Sequence, residues 1–305
     1  MEIAQFDLTG GAPAAELAEA ARRVGCFYVS HPLFPPSRCE EALHDARAFF
    51  DLPSEEKRRL AIERSPHFRG YSVMHNDRDW REQIHFGREE PACGAEPAYA
   101  GLRGPNLWPS DPLWRHGLLH LMDDLERVGR EVLSVLVANF DQDEAPYLLL
   151  KLIHYQIPPD GLPRSGVAPH VDFSWITLLL QDDAGGLEAR TPDGVWLDVP
   201  PVSGALLVNI GEILQFASGG RCLATPHRVT SRPKRSRVSM PFFLNPGLAQ
   251  RVKRSSLNSE RCMQYAQAGE HVHRVLSGSE EEPFVFGDAE WKRKGLGVWC
   301  SDCVK

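Results

Sequence analysis

Long hydrophobic runs are missing from this chain. No stretch approaches the roughly 18–20 apolar residues that a membrane-spanning helix needs, although 42% of the residues are hydrophobic. The opening MEIAQFDLTGG carries neither the basic region nor the apolar segment of a secretory leader, so a cytoplasmic protein with no membrane partner is expected. Cysteine is scarce and unpatterned. The seven cysteines, at 26, 39, 93, 222, 262, 300 and 303, are odd in number and scattered, which argues against a disulfide framework. Positive charge is not in excess either. A formal charge of -7 without long runs speaks against nucleic acid as the main partner. Internal repeats and low-complexity segments are also lacking. What remains is a 305-residue chain, enough for one large domain or two small ones, with 25% charged residues and a core that needs no staples.

The hydrophobic period changes along the chain. Residues 14–24 place Leu17, Ala21 and Val24 at helical spacing. Residues 36–50 predict a second helix with Ser37 as its cap, and DLPSEEKRRL starts a third, with Ser54 as its cap and Glu55 and Glu56 in its first turn. Residues 112–140 hold the longest helical pattern. After residue 148 the chain reads as short strands separated by Gly, Pro, Asp and Ser turns: LLLKLIHYQI, HVDFSWITLLL, GLEAR, VWLDVP, ALLVNI, HRVT and RVSMPFF. Helices first and many short strands later predict a mainly β core, an antiparallel double sheet or barrel with flanking helices. The organisation expected is a mixed helical region over 1–110, a long helical segment over 111–148, the β core over 149–250, and a helix and tail over 251–305.

One strand start carries chemistry. His170 and Asp172 stand two apart at the head of an apolar run, and on a strand such residues share a face. They either satisfy each other or hold something together. His227 begins another predicted strand, after Pro226, which restrains the residue before it to an extended form. Two histidines and one carboxylate suit Fe(II) with open coordination positions, though zinc uses the same set. Arg237 and Ser239 follow, again two apart. A buried guanidinium needs an anion and matches a carboxylate with two parallel hydrogen bonds. In this order they suggest a dicarboxylate clamped by Arg237 at one end and by the metal at the other. A second His-x-Asp, His75 and Asp77, sits in a polar stretch and reads as a surface loop. His271 and His273 diverge on a predicted helix and read as solvent-facing.

The ordered series GCFYVSHPLFP, FFDLPSEEK, FRGYS, DWREQIHFG, GPNLWP, KLIHYQIPP, HVDFSWITLLLQDDAGGLEA, GVWLDVPPVSGALLVNIGEILQFASGG and TPHRV resembles the isopenicillin N synthase-like branch of the Fe(II)/2-oxoglutarate-dependent oxygenases. The resemblance spans nearly the whole chain. It implies a double-stranded β-helix (jelly roll) with helices outside. It also implies Fe(II) on His170, Asp172 and His227, and 2-oxoglutarate with its distal carboxylate on Arg237 and Ser239. Tyr155 would add a hydroxyl to the co-substrate site, although Gln156 stands where the family usually has Pro. The activity implied is dioxygen-dependent oxidation of a small molecule by hydroxylation, desaturation or cyclisation, with release of succinate and CO2. An amino acid derivative or natural-product intermediate is the expected substrate.

Glu82, His154 and Phe173 fall where this branch tends to face the substrate. The loop LQFASGG and the acidic residue at 82 resemble the bacterial ethylene-forming enzyme, whose pocket accepts arginine. Glu82 is therefore expected either to bind a cationic substrate or to pair with Arg81 or Arg88. Three alternatives stand beside this reading: ethylene-forming activity, an Fe(II) oxidase of the same fold that does not use 2-oxoglutarate, and an inactive binding protein on the same scaffold. WCSDC, 299–303, has the spacing of a redox pair, but only two residues follow Cys303, so a tail packing over the pocket is expected instead.

Overall fold

The computed structural model of the chain describes residues 2–11, 13–94, 96–137, 145–231, 235–254 and 283–295. The helix expected within 251–305, with His271 and His273, and the WCSDC segment fall on residues outside the described ones. Among the described residues, no helix is long and apolar enough to cross a membrane.

The described strands, in chain order, are β1 (Gln5–Asp7), β2 (Cys26–Ser30), β3 (Gly70–His75), β4 (Trp80–Gly87), β5 (Leu148–Tyr155), β6 (Arg164–His170), β7 (Ile176–Gln181), β8 (Leu187–Arg190), β9 (Trp196–Asp198), β10 (Ala205–Ile210), β11 (His227–Ser231), β12 (Arg237–Leu244), β13 (Arg251–Val252) and β14 (Phe284–Val285). The α-helices are α1 (Ala14–Arg23), α2 (Pro36–Phe50), α3 (Ser54–Arg59), α4 (Pro112–Leu136), α5 (Glu212–Ala217) and α6 (Phe286–Arg293). Eight strands form one sheet in the order β1-β2-β10-β7-β12-β5-β4-β3, and β6-β11-β8-β9 form a second. Core pairings are antiparallel, so the two sheets make the double sheet that the strand-rich half of the sequence predicts, in the jelly-roll form that the family resemblance implies.

Period-2 alternation decides which side each residue serves. On β5, β7 and β12 the even residues Leu150, Leu152, Leu178, Val238, Met240 and Phe242 are buried in the main core. That core continues into α2 and α4 through Phe49, Phe50, Leu121, Met122, Leu125 and Val128. α4 keeps an apolar stripe at steps of three and four, and Asp111 caps it by accepting from the Leu113 N–H at 2.9 Å. The odd residues of the same strands point the other way, into a cavity between the sheets.

Three local expectations differ. Ser37 and Ser54 lie inside their helices, and Pro35 and Pro53 occupy the cap positions, because proline's fixed φ presets the helix entry. The run HVDFSWITLLL is not one strand. β6 ends at His170 and β7 starts at Ile176, so Asp172 sits on the turn between them.

Candidate metal and co-substrate site

His227 is the antiparallel register partner of His170 across β6 and β11, which brings the two imidazole rings to 4.3 Å between centroids. Each ring is oriented the same way. Nδ1 of His170 lies 2.9 Å from the carbonyl of Ala168, and Nδ1 of His227 lies 2.9 Å from that of Thr225. Carbonyls only accept, so Nδ1 carries the proton and both Nε2 lone pairs face inward. Asp172 Oδ1 lies 3.6 Å from Nε2 of His170 and 3.8 Å from Nε2 of His227. One ligand atom from each residue thus falls within 4.8 Å of the other two. The Asp172 carbonyl accepts from the Glu212 N–H at 2.8 Å, and its carboxylate accepts from Thr177. These two bonds, not a shared strand face, aim the carboxylate.

The electrostatics fit a cation at this point. Burial drives the His170 imidazole down to about 3, helped by His227, so the ring stays neutral and able to ligate. Burial raises the Asp172 carboxyl, but His227, His170 and Thr177 leave it lowered overall. Two imidazoles and one carboxylate around a point, hard and borderline donors without thiolate, match Fe(II) chemistry.

Arg237 opens β12, and Tyr155 ends β5 directly opposite it in register. The guanidinium stands 4.8 Å over the Tyr155 ring and donates through Nη2 to Gln181 Oε1 at 2.8 Å. Its Nε and Nη1 are buried and have no partner, although the residue is only 3% exposed. A buried guanidinium with two idle donors is costly unless an anion completes it. Ser239 and Tyr155 line the same cavity, of about 410 Å³, as the two histidines and Asp172. Gly166 makes this possible: a Cβ there would come within 2.6 Å of the Tyr155 ring.

Phe173 also lines the cavity and stacks on Phe286 of α6 at 5.7 Å. Glu82 and His154 do not line it. They are register partners on β4 and β5, on the helix-facing side of the large sheet. Glu82 is 1% exposed and accepts from Lys57 Nζ at 2.9 Å, Gln156 Nε2 at 3.0 Å and Tyr71 Oη, with His154 Nδ1 at 2.8 Å. Its cationic partner is Lys57 of α3, while Arg81 and Arg88 pair with Asp79 and Glu126. Gln156, the departure from the family's Pro, is absorbed into this network. On the cavity side of the same strands stand Arg81, expected only as a partner of Glu82, and Lys151, which was not singled out. The signal for them was available: Lys151 has the strand parity of Tyr155, and His154 does not.

A jelly roll that aims two imidazoles and a carboxylate at one point, with a guanidinium held open in the same cavity, defines a mononuclear metal enzyme that takes an anionic co-substrate. Comparison with known proteins gives the family. Residues 135–246 match the model of the 2OG-Fe(II) oxygenase superfamily, and 7–111 match that of the non-haem dioxygenase N-terminal region. A 2-oxoglutarate-dependent dioxygenase of Gibberella zeae is 34% identical over 270 residues, covering 77% of this chain and 71% of that protein. One from Dothideomycetidae sp. is 32% identical over 265 residues, covering 80% and 72%. Among solved structures, a full-length Neurospora crassa protein in complex with alpha-KG and thymine superposes with a TM-score of 0.77 at 22% identity, covering 97% of each chain. A 2OG-Fe(II) oxygenase family protein from Caulobacter crescentus gives 0.75 at 26% identity, covering 96% of this chain and 98% of that one. The chain belongs to the 2OG-Fe(II) oxygenase superfamily. It is a 2-oxoglutarate-dependent dioxygenase, with iron as cofactor and 2-oxoglutarate as co-substrate.

Proposed function

We propose that the chain oxidises a small molecule held beside Phe173, with His170, Asp172 and His227 as the iron ligands and Arg237, Ser239 and Tyr155 as the seat of 2-oxoglutarate. The observation that carries this reading is the idle guanidinium of Arg237, which shares a cavity with three convergent metal donors. When bound, ferrous iron and 2-oxoglutarate supply the oxidising power, with succinate and CO2 as co-products.

The protein's own part is position and exclusion of water. The Ala168 and Thr225 carbonyls hold each imidazole in its ligating tautomer. Thr177 and the Glu212 N–H fix the Asp172 carboxylate. Arg237 offers a carboxylate its unpartnered Nε and Nη1 donors, and the Tyr155 ring backs the guanidinium. Phe173 on Phe286 forms an apolar wall that keeps water from one side of the reacting centre. Hydroxylation, desaturation and cyclisation of a natural-product intermediate or amino acid derivative are all compatible with such a site.

Anaerobic titration with Fe(II) and 2-oxoglutarate tests the assignment. The expected result is the weak visible charge-transfer band of the chelate in the native protein and its loss in His170→Ala and His227→Ala. A band of undiminished intensity in either variant overturns the ligand set. Succinate release against a substrate panel then identifies the reaction.

A further inference from the structure

The cavity holds more positive charge than iron and 2-oxoglutarate account for. Asp79 engages Arg81 at 3.1 Å. Glu290 of α6 engages Arg293 at 2.7 Å. Asp172 belongs to the metal point, and Arg237 to the co-substrate seat. That leaves Lys151. It lines the cavity from β5, and no described carboxylate lies within ion-pair distance of it. Its ammonium rests 4.9 Å over the Phe243 ring, and a ring face is a weak substitute for an anion. Burial, then the charges of Arg81, Lys294 and Arg293, push it down to about 7, the behaviour of an ammonium short of a counter-charge.

Lys151 is not a second clamp for 2-oxoglutarate. It lies four residues before Tyr155 on the same strand face, a span of about 13 Å at strand rise. Its neighbour Phe243 pairs in register with Thr177, whose hydroxyl holds Asp172. Lys151 is therefore placed at the metal end of the cavity, opposite the Arg237 end. Arg81 lines the same cavity, with a buried Nε that has no partner. Arg293 reaches in from α6, its guanidinium 5.6 Å over Phe173.

We propose that Lys151, with Arg81 lining the same cavity, binds a carboxylate on the substrate itself, so that the enzyme selects small organic acids with an apolar body against Phe173. This rests on the iron and 2-oxoglutarate assignment above and reverses the expectation of a cationic substrate at Glu82.

The test uses the protein loaded anaerobically with Fe(II) and 2-oxoglutarate and two matched sets of probes: phenylacetate, phenylacetamide and phenethylamine, and hexanoate, hexanamide and hexylamine. Binding is followed by calorimetry and by the shift of the visible band. Each carboxylate is expected to bind at least about tenfold more tightly than its amide and amine. In Lys151→Met that preference is expected to vanish while 2-oxoglutarate binds as before, and Lys151→Arg is expected to restore it. Equal or tighter binding of the amides or amines overturns the proposal. So does the absence of saturable binding by both carboxylates at millimolar concentration, or an undiminished preference in Lys151→Met. Failure of native protein to bind Fe(II) and 2-oxoglutarate at the first step is a separate result and sinks the underlying assignment as well.

Discussion

Replacing Arg237 with Met separates a residue kept for a ligand from one kept for the fold. In the ligand-free protein the guanidinium is 3% exposed and makes one side-chain hydrogen bond, to Gln181, with Nε and Nη1 unpaired. Each buried unsatisfied donor costs about 1–3 kcal/mol. The bond to Gln181 and the contact with the Tyr155 ring each give back about 1–2 kcal/mol. Methionine fills a similar volume, so Arg237→Met is expected to leave ligand-free stability within about 1 kcal/mol of native or to raise it. Co-substrate binding moves the other way. Two charge-assisted bonds to a carboxylate are together worth about 3–6 kcal/mol, or about 100-fold or more in affinity at 1.4 kcal/mol per tenfold. Native protein at 100 times its dissociation constant gains about 2.7 kcal/mol from the ligand, and the variant at the same concentration gains almost none. Thermal unfolding with and without 2-oxoglutarate reads both effects. Two results would refute the reasoning: a variant whose midpoint still rises like the native protein's, or one that loses several kcal/mol without ligand.

Other perturbations divide along the same line. Gly166→Ala puts a Cβ 2.6 Å from the Tyr155 ring, so 2-oxoglutarate affinity is expected to fall with little effect on Fe(II) binding, measured by separate titrations. Thr177→Val removes the hydroxyl that holds Asp172 and is expected to weaken metal binding by about 10–100-fold in a chelator competition. Glu82→Ala strips the buried Lys57 of its counter-charge, so a stability loss of about 3–5 kcal/mol is expected in urea unfolding, without the change in substrate preference that a binding role would bring. The same carboxyl makes stability depend on acid. Burial raises it, but His154, Tyr71 and Lys57 bring it down to about 2, against an ordinary value of 4.5. A group depressed in the folded state stabilises above its unfolded value. On the order of 3 kcal/mol is therefore lost as pH falls from about 4.5 towards 2. Glu82→Gln should unfold with a visibly flatter pH profile across that window, and an unchanged profile would remove Glu82 from the account.

The antiparallel β core was legible because short apolar strands and turn residues leave a period-2 trace that helices cannot imitate; its jelly-roll form was implied by the family resemblance. The order of His170, Asp172, His227, Arg237 and Ser239 was legible because such side chains are rarely placed on buried strands without purpose. The reason given for pairing His170 with Asp172 was not the structural one. Asp172 lies beyond the strand end, on a turn tied down by the Glu212 N–H and Thr177. The Glu212 bond comes from forty residues further on, and no local pattern announces it.

Which face of a strand is the cavity face is a harder matter, and β5 shows what settles it. Tyr155 and His154 are adjacent, so on one strand they cannot both face the same cavity. If Tyr155 serves the co-substrate seat, His154 must face the helices, and its register partner Glu82 goes with it. Lys151 and Ile153 then turn inward with Tyr155. A single secure cavity residue thus fixes the parity of its own strand, and cross-strand register carries that parity to the next. Applied to KLIHYQI, this rule exchanges a buried acid for an unpaired lysine, and with it the charge that a substrate must carry.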